Sequence, residues 1–205
     1  LDPGDKVLLL DPSYCNFPSQ ILTTLDVELL RFPVVDTASW EFIADKQIDL
    51  FVNKIITEKP KVILLVSPDN PTSQILSQQF VNATFYAASS IGSYVVIDFA
   101  YKDLTFTASL PDYFSWEPNQ NFITIHSNSK WSRSLGRRLG WIEGPEEVIE
   151  ALDSIQSSSI LCPDTLHQMA FTKYVSLAIK NNTFKPYIRN VRAQYKLAAE
   201  KTVQA

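Results

Sequence analysis

A lysine among small hydroxyl residues is the first feature of this sequence that could carry chemistry. Lys130 ends the segment Ser127-Asn128-Ser129-Lys130, directly after an apolar run that predicts a buried strand. Most lysines are solvated surface charges. A lysine partly removed from water, however, loses its proton more readily, and its free amine can form a Schiff base with a carbonyl group. Lys130 is therefore the candidate nucleophile.

Other polar side chains stand where predicted strands end. Tyr14, Asn70 and Asp98 each follow such a strand, and Tyr101 comes three residues after Asp98. Parallel sheets bind their ligands beyond the carboxyl ends of the strands. We therefore expect these side chains and Lys130 to meet around one ligand at one edge of a sheet.

Short apolar runs alternate with longer amphipathic segments. The apolar runs are rich in Val, Ile and Leu without interruption, which suits strands that are covered on both faces. This alternation predicts an α/β fold with a mostly parallel sheet and helices on both faces. The predicted strands are 6–10, 27–32, 61–66, 94–97, 121–125 and 139–142, and the predicted helices are 45–58, 77–91, 145–155, 164–179 and 184–205.

Four short segments form one ordered pattern. In chain order they are Pro3-Gly4-Asp5 with its following strand, the turn Ser67-Pro68-Asp69-Asn70-Pro71-Thr72, the segment Asp98-Phe99-Ala100-Tyr101, and Lys130 followed by Arg138 and Gly140. Together they resemble the motifs of the class I/II aminotransferases, enzymes of fold type I that use pyridoxal 5'-phosphate (PLP). The turn departs from the family pattern at two positions. Ser67 stands where the family has asparagine, and Ser73, directly after Thr72, stands where it has glycine.

The resemblance implies a role for each matching residue. Lys130 would hold PLP as a Schiff base and act as the catalytic base. Asp98 would keep the ring nitrogen of the cofactor protonated by its opposite charge. Asn70 and Tyr101 would hydrogen-bond the phenolic oxygen of the ring. The other cofactor contacts would be stacking by Tyr14 and phosphate binding by Ser127, Ser129 and Arg138.

Composition argues against several other classes of protein. The net charge is −4, and the small arginine cluster 133–138 is too small for a nucleic-acid groove, so we expect no nucleic-acid partner. We interpret Arg133 and Arg137 as surface or interface charges. No apolar run reaches membrane-spanning length. Cys15 and Cys162 lack metal spacing, so we expect no metal site and interpret both as free thiols of a cytoplasmic protein.

Domain organisation and function follow from the same resemblance. Residues 1–183 would form the PLP-binding core of a large domain without its N-terminal part, and 184–205 would begin the helix toward a small domain. We expect a homodimeric aminotransferase that moves an amino group between an amino acid and a 2-keto acid. Another PLP reaction (elimination, cyclisation or decarboxylation) and a non-catalytic remnant stay open as alternatives. We expect the 205-residue chain alone to be inactive.

Overall fold

A computed structural model describes residues 1–22, 26–107, 109–117 and 121–204. Within those residues, six strands form one sheet: β1 (Lys6–Asp11), β2 (Glu28–Pro33), β3 (Val62–Val66), β4 (Tyr94–Asp98), β5 (Phe122–Ser127) and β6 (Gly140–Glu143). Their order across the sheet is β2-β1-β3-β4-β5-β6. The first five strands run parallel, and β6 runs antiparallel to β5. The prediction of a mostly parallel α/β sheet is therefore confirmed.

Each predicted helix is present. The helices are α1 (Asn16–Leu22), α2 (Ile48–Glu58), α3 (Gln78–Ser90), α4 (Glu146–Ser159), α5 (Thr165–Lys180) and α6 (Phe184–Gln204). The segment predicted as a helix from residue 45 begins as a short 3-10 helix, Ala44–Gln47, before α2 starts. The sequence analysis did not predict α1, since it has only seven residues and buries none of them.

Helices α2 and α3 pack on one face of the sheet. Phe51 of α2 is the centre of this packing, with its ring centroid 4.8 Å from that of Phe32 and 4.9 Å from that of Phe80. These rings join Ile63 and Val95 of the central strands in one buried cluster. Burial of each such side chain stabilises the fold by roughly 1.5–3 kcal/mol.

The start of α3 shows how the sequence sets a helix boundary. Ser77 has an extended backbone, and its hydroxyl oxygen accepts the N–H of Phe80 at 3.0 Å. The same hydroxyl donates to Asp45 at 2.6 Å, which links α3 to the turn before α2. Gly92, with φ of +72°, lies just beyond the other end of the helix. The Ser77 side chain therefore caps α3.

Tyr113 fixes the loop between β3 and α3 from within the core. Its hydroxyl donates to the carbonyl oxygen of Leu76 at 2.7 Å and lies 2.5 Å from the hydroxyl of Ser67. The N–H of Leu76 in turn donates to the Ser67 hydroxyl at 3.2 Å. Both ends of the 67–76 loop are thus tied at one buried point.

The C-terminal helices are packed less tightly. Trp131 is buried and its ring contacts Phe171 of α5 and Phe184 of α6, at centroid distances of 5.7 and 5.5 Å. Across α4, α5 and the segment between them, by contrast, several large apolar side chains are exposed, among them Ile155, Ile160, Leu161, Leu166 and Met169. In the described part of the chain, none of the helices has the length and apolar character needed to cross a membrane.

Candidate cofactor site

A cavity of about 790 Å³ opens beyond the carboxyl ends of β3, β4 and β5. Four of the residues singled out from the sequence line it: Asn70, Tyr101, Ser129 and Lys130. They come from the loops after three neighbouring parallel strands, which is the placement that the sequence analysis predicted. The opposite wall belongs to α6, through Tyr195, Ala198, Ala199 and Thr202.

Lys130 is half-buried in the turn that follows β5. Its Nζ lies 5.1 Å from the centroid of the Tyr101 ring. In the part of the chain that the structure describes, no carboxylate lies within ion-pair distance of this amine. The buried side chain of Trp131 anchors the backbone directly after it. The amine is therefore held in the cavity by its neighbours and is available to react.

Asp98 ends β4 in the middle of the sheet edge, paired in register with Val66 of β3 and Ile125 of β5. Its Oδ1 accepts the N–H of Ala100 at 2.8 Å. Burial raises the pKa of this carboxyl, and the hydrogen bond from Ala100 only partly offsets that effect. A desolvated carboxylate favours a cationic partner, and the described residues offer none within ion-pair distance.

The loop that carries Asn70 is rigid at its base. Besides the contacts to Tyr113, the N–H of Ser67 donates to the carbonyl oxygen of Asp98 at 3.1 Å, which joins the loop to β4. Within the loop, Asp69 accepts the N–H and the hydroxyl of Thr72 at 3.0 and 2.6 Å. Asn70 is thus presented to the cavity from a loop with internal hydrogen bonds and a buried anchor.

The other predicted cofactor residues, Asp98 included, do not line the cavity. Ser127 is at the end of β5, opposite Gly140 of β6, and its hydroxyl accepts the N–H of Ser129 at 3.1 Å. Arg138 is exposed and has a left-handed backbone with φ of 51°. Tyr14 is half-buried, and its ring packs edge-on against Phe17 at 5.3 Å. Their roles toward the cofactor stay predictions.

Gly140 is required by the close approach of β6 to β5. A Cβ atom at this position would overlap the carbonyl group of His126. The motif glycine two residues after Arg138 therefore has a packing reason, independent of any ligand.

Two residues near the cavity were not among the predicted site residues. Asn128 is buried, and its Oδ1 has no hydrogen-bond partner among the described residues. In the sequence, only its position inside the Ser127–Lys130 segment indicated that Asn128 lies near the site. Arg133 lines the cavity, although the sequence analysis interpreted it as a surface or interface charge. It is exposed, as a surface charge would be, but it faces the same space as Lys130.

His126 is buried beside the site, with 5% of its surface exposed. Its ring stacks on that of Trp141 at 4.7 Å and 3°, and its Nε2 lies 2.9 Å from the hydroxyl of Thr124. Burial lowers the pKa of His126 to about 4, and the charge of Lys102 contributes to this decrease, so the ring is neutral near pH 7. This packing indicates a structural role.

The side chains at this edge fit PLP. The set contains an unpaired amine at Lys130, a desolvated carboxyl at Asp98, and amide and phenol groups at Asn70 and Tyr101. These are the groups that an aldehyde, a pyridinium nitrogen and a phenolic oxygen require. Asp98 is half-buried and has no cation within ion-pair distance among the described residues, which suits a cationic ring nitrogen beside it.

Comparisons with known proteins agree with this geometry. The family model "Aminotransferase class I and II" matches residues 1–200. An aspartate/prephenate aminotransferase of Thermus thermophilus is 31% identical over 180 residues, which are 83% of this chain and 42% of that protein. The chain therefore spans less than half the length of this relative.

Solved structures show the same fold. A mutant aspartate aminotransferase of Thermus thermophilus superposes with a TM-score of 0.81 at 24% identity, covering 96% of this chain and 49% of that one. The N-succinyldiaminopimelate aminotransferase of Mycobacterium tuberculosis gives a TM-score of 0.80 at 23% identity, covering 100% and 51%. Members of the matching family use PLP as their cofactor. From its motifs, its sheet and the match over nearly its whole length, this chain belongs to the class I and II aminotransferases.

Proposed function

We propose that this chain is the cofactor-binding part of a PLP-dependent aminotransferase that moves an amino group between an amino acid and a 2-keto acid. The observation that carries the proposal is the position of Lys130 in one cavity with Asn70 and Tyr101, at the sheet edge where Asp98 ends β4 and no cation of the described residues lies within ion-pair distance of it. Several relatives of similar sequence are named as aspartate aminotransferases, which supports the same reaction.

Each polar group at the edge has a task in this proposal. Lys130 would hold the cofactor covalently, and Asp98 would keep its ring nitrogen protonated. Asn70 and Tyr101 would hydrogen-bond its phenolic oxygen. Tyr14 would stack on the ring, and Ser127 and Arg138 would bind the phosphate with help from Ser129.

The chain's own residues then supply proton transfer and orientation. When bound, PLP supplies an electron sink for the bond that breaks at the α-carbon of the substrate. The Nζ of Lys130 would take the proton from that α-carbon as a general base. The Tyr101 ring, 5.1 Å from this amine, limits the positions that Nζ can adopt.

We also propose that the protein acts as a cytoplasmic homodimer. The apolar side chains exposed on α4 and α5, such as Ile155 and Leu166, support a subunit contact because a monomer gains nothing from exposing them. Cys15 and Cys162 are both free and exposed, which supports a reducing compartment. Light scattering at assay concentration tests the dimer, and a fully active monomer would contradict it.

Borohydride reduction followed by peptide mass analysis tests the attachment site. We expect the pyridoxyl group on Lys130 and on no other lysine. The variant Lys130→Ala should lower turnover by at least about 10⁴-fold, because the attachment point and the base are lost together. Lys173→Ala, which removes an exposed lysine of α5, is the matched control and should leave turnover unchanged. A pyridoxyl group on a different lysine would contradict the assignment.

A coupled assay over a panel of amino acids separates transamination from its alternatives. Transamination consumes one equivalent of the acceptor 2-keto acid, whereas an elimination releases ammonia without consuming any. A non-catalytic remnant would bind PLP without turnover. The assay should use the protein extended at both ends, because we expect the 205-residue chain alone to show little activity.

A further inference from the structure

Helix α6 contacts both of the loops that bring Lys130 and Tyr101 together. Lys130 stands in the turn after β5, and Tyr101 stands directly before the short 3-10 helix Lys102–Leu104. The Nζ of Lys130 lies over the Tyr101 ring, 5.1 Å from its centroid. Because the two loops follow different strands, this distance depends on what joins the loops to each other.

The first contact joins α6 to the Tyr101 loop. The Nε of Arg192 donates to the carbonyl oxygen of Asp103 at 2.6 Å. Asp103 lies in the middle of the 3-10 helix, and the N–H of Leu104 donates to the carbonyl oxygen of Tyr101 at 2.9 Å. A hydrogen bond from a charged donor is shorter and stronger than one between neutral groups. Arg192 therefore holds the backbone directly after Tyr101 against α6.

The second contact joins α6 to the Lys130 turn. A terminal nitrogen of Arg133 donates to Gln194 Oε1 at 2.7 Å, and the guanidinium lies 5.5 Å from the centroid of the Tyr195 ring. The backbone N–H of Arg133 donates in turn to the carbonyl oxygen of Lys130 at 3.3 Å. The turn that carries Lys130 is therefore attached to the same helix as the Tyr101 loop.

One short stretch of α6 makes both contacts. Arg192 and Gln194 are two residues apart, which is about 3 Å along the helix axis, and residues with this spacing point to different sides of a helix. Val191, which is 2% exposed, anchors this stretch in the protein. A shift of either loop relative to the other would therefore break at least one of the two contacts.

We propose that α6 positions Lys130 over Tyr101, with Arg192 and Gln194 as the positioning residues that each hold one loop. The inference rests on the proposed function, in which Lys130 holds the cofactor and Tyr101 hydrogen-bonds its phenolic oxygen. Neither Arg192 nor Gln194 lines the cavity, so each acts through the loop that it contacts. A displacement of about 1 Å between reacting groups can lower a rate by roughly 100-fold, which makes such contacts important for turnover.

The visible absorbance of the PLP-loaded enzyme, titrated with pH, reports on Tyr101 without turnover. A hydrogen bond to the phenolic oxygen stabilises the form of the bound cofactor that has lost its proton. Arg192→Met keeps the length of the side chain but removes its donors, and it should raise the midpoint of this transition by about half a pH unit or more. Arg189→Met, one turn earlier on an exposed position of α6, is the matched control and should leave the midpoint unchanged.

Hydrogen exchange followed by mass spectrometry tests the two contacts in the cofactor-free protein. Arg192→Met should speed exchange in residues 101–105 by about tenfold, because these backbone groups lose their attachment to α6. Gln194→Ala should speed exchange in residues 130–134, and by a smaller factor, since the Arg133 contact is exposed. Arg189→Met should change neither segment.

Steady-state kinetics separates positioning from substrate binding. Arg192→Met should lower kcat by about 10- to 100-fold and change KM little, because it displaces reacting groups and removes no contact with the substrate. In a Tyr101→Phe background the same change should lose most of its effect, since two changes that act through one contact are not additive. Arg192→Lys can still donate to the Asp103 carbonyl oxygen and should recover part of kcat.

Each other outcome overturns the proposal in a distinct way. A wild-type midpoint and kcat in Arg192→Met would remove the positioning role and leave the proposed function intact. An equal loss of kcat with and without the Tyr101 hydroxyl would show that Arg192 does not act through Tyr101. If Arg192→Met does not fold, Gln194→Ala carries the test, and unchanged exchange at 130–134 in that variant would refute the proposal. PLP bound to a lysine other than Lys130 in the wild type would instead contradict the proposed function.

Discussion

The molecule has two contrasting sides, the core under α2 and α3 and the surroundings of the cavity. They differ in how many of their polar and charged side chains have a partner. Under α2 and α3, rings such as Phe51 are buried on every side, and Ser67 and Tyr113 satisfy each other's hydroxyl groups. Around the cavity, neither Asp98 nor Arg133 has an oppositely charged partner within ion-pair distance in the described part of the chain. The tightly packed side supplies the stability, and the other side keeps charged groups unpaired for a ligand.

The largest effect that would sharpen this comparison is at Asp98. We expect Asp98→Asn to lower turnover by several powers of ten, since losing the charged partner of a buried cation costs on the order of 2–5 kcal/mol. The same variant should make the cofactor-free protein more stable at neutral pH, because burial raises the pKa of Asp98 and penalises its ionised form.

The stability that Asp98→Asn gains over the wild type should increase with pH. The folded state holds the Asp98 proton to higher pH than the unfolded chain does, so wild-type stability falls as pH rises through the raised pKa. The advantage of Asp98→Asn should therefore vanish below the ordinary pKa of 3.8. Urea unfolding of the cofactor-free proteins at several pH values measures it. A destabilised Asp98→Asn variant at pH 7 would contradict our account of this residue.

The next largest effect is the loss of stability when one apolar side chain on each side is truncated. Phe51→Ala should destabilise the protein by about 3–5 kcal/mol, because a ring that is 1% exposed leaves a cavity. Ile155→Ala on α4, where the side chain is 63% exposed, should change the free energy of unfolding of the monomeric chain by less than about 0.5 kcal/mol. Comparable losses for the two variants, measured by urea unfolding, would refute the difference in packing.

His126 gives a pH-dependent effect at the boundary between the two sides. The unfolded chain protonates His126 near pH 6.5, whereas the folded protein does so only near pH 4. The contribution of His126 to stability should therefore fall by about 3 kcal/mol as pH decreases through this window, and stay constant above it. His126→Gln should remove this decrease in the free energy of unfolding with falling pH, and His167→Gln is the control. An unchanged slope in His126→Gln would show that the ring is not the group responsible.

The smallest expected effect compares two helix caps. Ser77 caps α3, and Asp164 caps α5 by accepting the N–H of His167 at 2.9 Å. Ser77→Ala should lower the global free energy of unfolding by about 1 kcal/mol. Asp164→Ala should mainly speed hydrogen exchange in α5, because that helix contributes less to the packed core. A global loss from Asp164→Ala as large as that from Ser77→Ala would show that the two sides unfold as one unit.

The better-packed side was also the more predictable from sequence. Continuous apolar runs such as Val62–Val66 predicted the strands, because a strand buried on both faces needs that pattern. Hydrogen bonds between distant residues have no such pattern. Nothing near Tyr113 indicates that its hydroxyl meets Leu76, and the spacing of Arg133 does not show that a helix 60 residues later completes its surroundings.

The site was predictable to the extent that it follows the sheet. Asn70, Tyr101 and Lys130 meet because parallel strands bring their carboxyl ends to one edge, which the order of elements already implies. The prediction was less complete for Arg138 and Tyr14, whose side chains do not line the cavity. The direction of a side chain in a turn depends on local backbone angles that residue types alone do not determine.

The anchoring of the 67–76 loop by Tyr113 has a consequence for how this protein can evolve. Because both ends of the loop are fixed in the core, the residues around Asn70 can mutate, or the loop can change in length, while the sheet keeps its structure. Asp69, Ser73 and Ile75 belong to this loop and line the cavity. New substrate preferences can therefore arise here by small insertions, with the fold unaffected as long as Ser67 and Tyr113 are retained.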